Sequence, residues 1–131
     1  MVSVISLDKE IPVNSDVPAI ETISLTKRYG SSPVNALDSL NMIVHPGEIF
    51  GFLGPNGSGK TTTIKLLLDL IRPTSGSARM LGMDCSESSL KIRDRIGYLP
   101  GELKLYSDTP GHKIIKLFAS LRSTEVSQAY V

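Results

Sequence analysis

Cysteine occurs once in the 131 residues, as Cys85. That excludes an internal disulfide, and a single thiol fits a reducing compartment. No partner with metal-ligand spacing stands near Cys85, which is expected to be an ordinary free thiol. An excess of charge of either sign is also missing, with 14 Lys+Arg against 13 Asp+Glu and a net charge of +1. Such a balance excludes a bulk electrostatic pull toward nucleic acid or anionic lipid. Long apolar runs are absent as well: no stretch approaches the ~18–20 apolar residues of a membrane-spanning helix. The start, Met1-Val2-Ser3-Val4-Ile5-Ser6-Leu7-Asp8, lacks the basic and apolar regions of a signal peptide. The expectation is a soluble, intracellular chain. With 40% hydrophobic residues and 11 glycines, the composition is that of a globular domain rather than a disordered one. The length leaves room for one domain.

Residues 1–18 carry Asp8, Glu10 and Asp16 against Lys9, with Pro12, Asn14 and Pro18 as breakers. They are expected to form a loose leader ahead of a domain over 19–131. Residues 19–27 alternate apolar with polar over Ile23 and Leu25, the pattern of a half-exposed strand. The later part of 34–44, with Leu40, Met42 and Val44, suits a second strand, and Pro46-Gly47 marks a turn. Glu48-Ile49-Phe50-Gly51-Phe52-Leu53 is a short apolar run, as expected of a strand buried on both faces. A helix is expected over 61–70 from Ile64, Leu67, Leu68 and Ile71, ending before Pro73. Further expectations are a strand over 77–81, a charged helix over 89–95 and a strand over 96–99. Thr109 then caps a helix opened by Pro110, whose stripe Ile114, Leu117, Phe118 and Leu121 would pack on the rest of the domain.

Between the apolar run and the first helix stands Gly54-Pro55-Asn56-Gly57-Ser58-Gly59-Lys60-Thr61, which fits G-x-x-x-x-G-K-[ST] at every fixed position. At ordinary residue usage the pattern arises by chance in roughly one chain in a few hundred of this length. A strand before it and a helix after it are the context that confirms it. Glycines let consecutive backbone N–H groups converge on phosphate oxygens, and the helix start adds its positive dipole end. Lys60 would bring a full charge to the β/γ-phosphates, and the Thr61 hydroxyl is placed to ligate Mg²⁺. The chain is expected to hold a nucleotide-phosphate site.

Several further motifs follow one order with tight spacing: Lys27-Arg28-Tyr29-Gly30, Pro46-Gly47-Glu48-Ile49, the loop at 54–61, Pro73-Thr74-Ser75-Gly76 and Ile96-Gly97-Tyr98-Leu99-Pro100. Together they resemble the N-terminal half of an ATP-binding cassette (ABC) transporter ATPase, in the manner of subunits energising multidrug, antibiotic or ABC-2-type exporters. The resemblance runs from about residue 19 to 130. It implies an α/β fold: a P-loop NTPase core with an N-terminal antiparallel β subdomain, incomplete at the C-terminus. It also implies ATP with Mg²⁺ as cofactors and Lys60 as the catalytic residue. Gly54, Pro55, Asn56, Gly57, Ser58, Gly59, Lys60, Thr61 and Thr62 would bind the phosphates, and Tyr29 would stack on adenine. The implied partners are a transmembrane permease subunit and a second nucleotide-binding subunit, with no nucleic acid. The implied location is cytoplasmic, peripheral on the inner face of the cell membrane.

Two departures stand out. Where the family places a glutamine after Tyr-Leu-Pro, this chain has Gly101 and Glu102. Either the loop shifts by one residue and Glu102 takes the role, or the pair simply makes a turn. The family's signature loop, Walker B aspartate, catalytic glutamate and switch histidine have no counterpart in these 131 residues. His45 and His112 are wrongly placed for the switch and are expected at the surface. The resemblance thus implies ATP binding here, with hydrolysis and transport coupling in a longer protein. A truncated non-catalytic module and a non-transport ABC ATPase are the alternatives.

Overall fold

The structure, a computed structural model, describes residues 3–5, 16–99 and 109–121. Its centre is a four-stranded antiparallel sheet. In chain order the strands are β2 (Ile20–Lys27), β3 (Leu37–Val44), β4 (Ser75–Met80) and β5 (Met83–Asp84), arranged β3-β2-β4-β5. β2 therefore pairs on both edges, with Ile20 opposite Val44 on one side and Met80 on the other. β4 and β5 form a hairpin whose turn residues, Leu81 and Gly82, both have positive φ, as a type I′ turn requires. The short strands β1 (Ser3–Ile5) and β6 (Gly97–Leu99) pair in a sheet of their own. Part of the stretch expected to be a leader thus carries a strand, and 6–15 lie outside the described residues.

Alternation along β2 is not regular, and the reason is local. Ser24 and Ser39 both have φ near +46°, and the β2/β3 register shifts between Thr22 and Leu25. The distortion leaves Ile23 exposed while Leu25 is buried at 1% exposure, so the two do not share a face. The displaced backbone groups find side-chain partners. Ser24 N–H donates to Asn41 Oδ1 at 2.8 Å and Ser39 N–H to Thr26 Oγ1 at 3.0 Å. The Thr26 hydroxyl in turn donates to Ser24 O at 3.1 Å. One buried threonine thereby ties both irregularities together, as buried polar groups require.

Helix α1 (Lys60–Leu67) packs Leu66 and Leu67, with the following Leu68, into a core shared with Leu25, Leu37, Ala78, Met80, Cys85, Ile92 and Ile96. Each fully buried leucine stabilises the fold by about 1.5–3 kcal/mol. The helix ends three residues earlier than its apolar spacing indicates. Asp69 takes φ +53°, its N–H donates to Leu66 O at 3.0 Å, and Leu70 N–H donates to Lys65 O at 2.9 Å. This is a Schellman motif with aspartate in the position that glycine usually takes. The Asp69 carboxylate, only 10% exposed, faces Arg72 Nη1 at 3.2 Å and Arg93 Nη2 at 3.9 Å. It joins the end of α1 to α2 (Ser89–Arg93).

The largest departure concerns residues 48–53. They form no strand, and Ile49 and Leu53 are exposed at 104% and 84%. A strand buried on both faces needs a neighbour on each edge and layers above and below. Among the described residues no strand pairs with this segment. Helix α3 (Gly111–Leu121) belongs to a second compact unit. It begins at Gly111, one residue later than expected, because Pro110 and not Thr109 takes the capping position, its O accepting from Ile114 N–H at 3.3 Å; Ile114 is buried, but Leu117 and Phe118 remain about half exposed.

Cys85 lies in the core at 2% exposure. Burial, reinforced by the negative charges of Asp84 and then Asp69, pushes its pKa up from 9.0 to about 12. The thiol is therefore expected to resist alkylation at pH 8, reacting about a thousandfold slower than in urea, as mass spectrometry of the labelled chain would show. Between pH 9.0 and about 12 the unfolded chain loses this proton while the folded chain keeps it. Stability therefore falls as pH rises through that window. Equal labelling rates in the native and denatured chain would refute the buried placement.

Candidate phosphate-binding site

The loop at 54–59 runs directly into α1, and its last residue sets the geometry. Gly59 is the N-cap of α1 with φ +89°. A Cβ there would stand 2.8 Å from Ala36 O and 3.2 Å from Leu37 Cδ1. Only glycine fits both the left-handed backbone and that close approach. Thr63, fully buried, fixes the same residue from the helix side, since its N–H and its Oγ1 both donate to Gly59 O, at 2.8 and 3.0 Å. Sequence reasoning passed over Thr63 and the Ala36-Leu37 wall. Their only signal was a third consecutive threonine and an apolar pair at the start of a strand.

The rest of the loop is open to solvent. Ser58 N–H donates to Pro55 O at 3.3 Å, closing a turn with Asn56 and Gly57 at its exposed tip. Lys60 folds back over the loop, its Nζ donating to Gly54 O at 2.6 Å, Pro55 O at 2.7 Å and Ser58 Oγ at 3.3 Å. Gly54 sits under this knot, where a Cβ would come within 2.6 Å of Ser58 Oγ. No side chain caps α1 and no acidic residue occupies its first turn. The helix start is thus left positive, with an ammonium beside it. That arrangement fits an anion with several oxygens. Thr61 is exposed and Thr62 half-buried in the first turn of α1.

Tyr29 lies on the loop between β2 and β3, 46% exposed. That loop is cinched where Ala36 N–H donates to Lys27 O at 2.7 Å, and Ala36 is the residue that abuts Gly59. The structure therefore gathers Gly54, Pro55, Ser58 and Lys60 into one hydrogen-bonded unit, with Gly59 held beside it by Thr63, and roots the Tyr29 loop next to Gly59. Glu48 closes the turn before the apolar segment, its Oε2 accepting from His45 N–H at 2.9 Å. His45 and His112 are exposed. Gly101 and Glu102 lie outside the described residues. Among the described residues no three His, Cys, Asp or Glu side chains gather as a metal site. The side-chain oxygen that α1 offers beside the loop for a divalent ion is the exposed Thr61 hydroxyl. This suits an ion that takes its remaining oxygens from phosphate and water.

Residues 37–128, more than half of the chain and including the whole loop, match the family model described as ABC transporter. The chain belongs to the ABC transporter family. Probable multidrug ABC transporter ATP-binding protein YbhF of Escherichia coli (strain K12) is 44% identical over 102 residues, which cover 78% of this chain and 17% of the relative. Bacitracin transport ATP-binding protein BcrA of Bacillus licheniformis is 50% identical over 78 residues, covering 60% of this chain and 25% of the relative. A solved structure described as the ATP binding subunit of an ABC transporter superposes with a TM-score of 0.66 at 25% identity, over 85% of this chain and 45% of that one. The chain spans less than half the length of each of them. The antiparallel sheet and helices described above accord with the N-terminal part of an ABC ATP-binding domain.

Proposed function

We propose that this ABC chain is the ATP-holding part of an exporter's nucleotide-binding subunit. The observation carrying this reading is the loop at 54–61, where Gly59 is pinned, α1 opens uncapped and Lys60 converges on the loop from the helix side. Backbone N–H groups of residues 54–60 and the Lys60 ammonium would hold the phosphates, and Lys60 would offset charge that develops during phosphoryl transfer. Thr62 would add a hydroxyl to the phosphates. The Thr61 hydroxyl would hold Mg²⁺, which supplies charge neutralisation when bound. Tyr29 would receive the adenine. Similarity to proteins named for multidrug and bacitracin transport supports an exporter acting with a transmembrane permease and a second nucleotide-binding subunit, on the cytoplasmic face of the membrane. No described helix is long and apolar enough to cross a membrane.

A second reading, nucleotide binding without turnover, is favoured for the 131-residue chain by the partners of the Lys60 ammonium, which among the described residues are Gly54 O, Pro55 O and Ser58 Oγ and include no carboxylate. Water activation would then need a carboxylate from outside the described residues. Titration with ATP and with tripolyphosphate separates the contributions of base and phosphates. Tyr29→Leu is expected to weaken ATP about 5- to 150-fold, the equivalent of one lost base–aromatic stack of roughly 1–3 kcal/mol, and to leave tripolyphosphate unchanged. Phosphate release should stay at background. Equal affinity of the variant and the parent for ATP would remove Tyr29 from the site, and steady phosphate release would remove the non-catalytic reading.

A further inference from the structure

Lys27 closes β2 two residues before Tyr29, and its ammonium is held in place from two sides. Nζ donates to Arg72 O at 2.6 Å and stands 5.3 Å from the centroid of the Tyr29 ring, within the range of a cation–π contact. The carbonyl it uses is itself anchored to β2. Thr74 N–H donates to Thr26 O at 2.8 Å, and Arg28 N–H donates to Thr74 Oγ1 at 2.9 Å. Thr74 Oγ1 donates in turn to Arg28 O at 3.3 Å. The segment 72–74 thus clamps the strand end from which the Tyr29 loop departs. Even a half-buried lysine would ordinarily sample several rotamers where its head meets water. Here one proton is committed to a carbonyl, and the charge comes to rest over an aromatic face.

We infer that Lys27 is a positioning residue for nucleobase binding, covering one face of the half-exposed Tyr29 ring and presenting the other to a purine. It acts through the ring and does not touch the nucleotide. The inference rests on the reading of Tyr29 as the adenine platform. Two consequences follow from the geometry. The ring is ordered before the base arrives, so less freedom is lost on binding. The base also has a single face available, which fixes its side of approach.

The test measures ATP and tripolyphosphate affinity for Lys27→Met, Lys27→Arg, Tyr29→Leu and the double variant Lys27→Met/Tyr29→Leu. All would be studied as the 131-residue chain at one low concentration. Lys27→Met is expected to weaken ATP about two- to fivefold, the equivalent of an exposed cation–π contact, with tripolyphosphate unchanged. Lys27→Arg should restore ATP affinity, because a guanidinium can both donate to Arg72 O and lie over the ring. In the Tyr29→Leu background the Lys27 substitution should add nothing. A parallel loss of ATP and tripolyphosphate would show Lys27 to be merely structural, and an undiminished effect in the Tyr29→Leu background would show it acting without the ring; either overturns the inference. If Tyr29→Leu weakens ATP but Lys27→Met does not, the inference fails and the Tyr29 platform stands. If Tyr29→Leu leaves the ratio of the two ligands unchanged, the platform fails and the inference with it.

Discussion

Replacing Lys60 with alanine is expected to reduce ATP and tripolyphosphate binding together, by more than about a hundredfold. A hydrogen bond to a charged group contributes roughly 1.5–3 kcal/mol, and the ammonium can make two to the β/γ-phosphates. In the free chain its donors go to Gly54 O, Pro55 O and Ser58 Oγ, so phosphate must compete with loop oxygens for the same protons. The variant loses both sets of bonds. Because the loop is exposed, water can solvate the released carbonyls, and the melting temperature should hardly move. Isothermal titration beside a thermal melt separates the two effects. Binding retained in Lys60→Ala would argue against the loop as the phosphate site altogether.

The loop itself was legible in the sequence because its chemistry demands fixed residue types at fixed spacing. Glycine at 59 is required by φ +89° and by Ala36 O at 2.8 Å, and lysine at 60 by the phosphates that the loop is proposed to hold. The strands at Ile20–Lys27 and Leu37–Val44 were legible from alternation. Their irregularities were not, since Ser24 and Ser39 reach positive φ without glycine, supported by Asn41 and Thr26 from the neighbouring strand. Such support depends on register, and no local pattern carries it. The end of α1 was missed for a similar reason. Pro73 is a visible stop, but the helix closes at Asp69, whose left-handed backbone is accompanied by ion pairs to Arg72 and to Arg93, 24 positions further on. Lys27 and Thr63 escaped because their roles lie in what they touch, the Tyr29 ring and Gly59 O. Residues 48–53 show the opposite relation. Their pattern states clearly what they need, two-sided burial, and nothing among the described residues supplies it.

That unmet requirement has a measurable consequence. The 131-residue chain is expected to self-associate through residues 48–53 as its concentration rises. Ile49 and Leu53 stand at 104% and 84% exposure, with Phe50 about half exposed between them. The segment from 49 to 53 is uncharged and contains no proline, the composition from which exposed segments pair with copies of themselves. Burying three such side chains stabilises a contact by about 5 kcal/mol or more, and backbone pairing adds to it. Association itself costs an estimated 4–15 kcal/mol, so the balance points to weak contacts that grow at roughly tens of micromolar and above. Light scattering over a concentration series reads this directly. Ile49→Lys and Leu53→Lys together should suppress it, because lysine on an open strand disfavours pairing. Leu90→Lys, which removes another largely exposed apolar residue, on α2, should not. A monodisperse monomer that melts cooperatively at high concentration would show that the apolar run is tolerated in water, and the need for a covering partner would fall with it. Suppression by Leu90→Lys alone would instead place the sticky surface on α2.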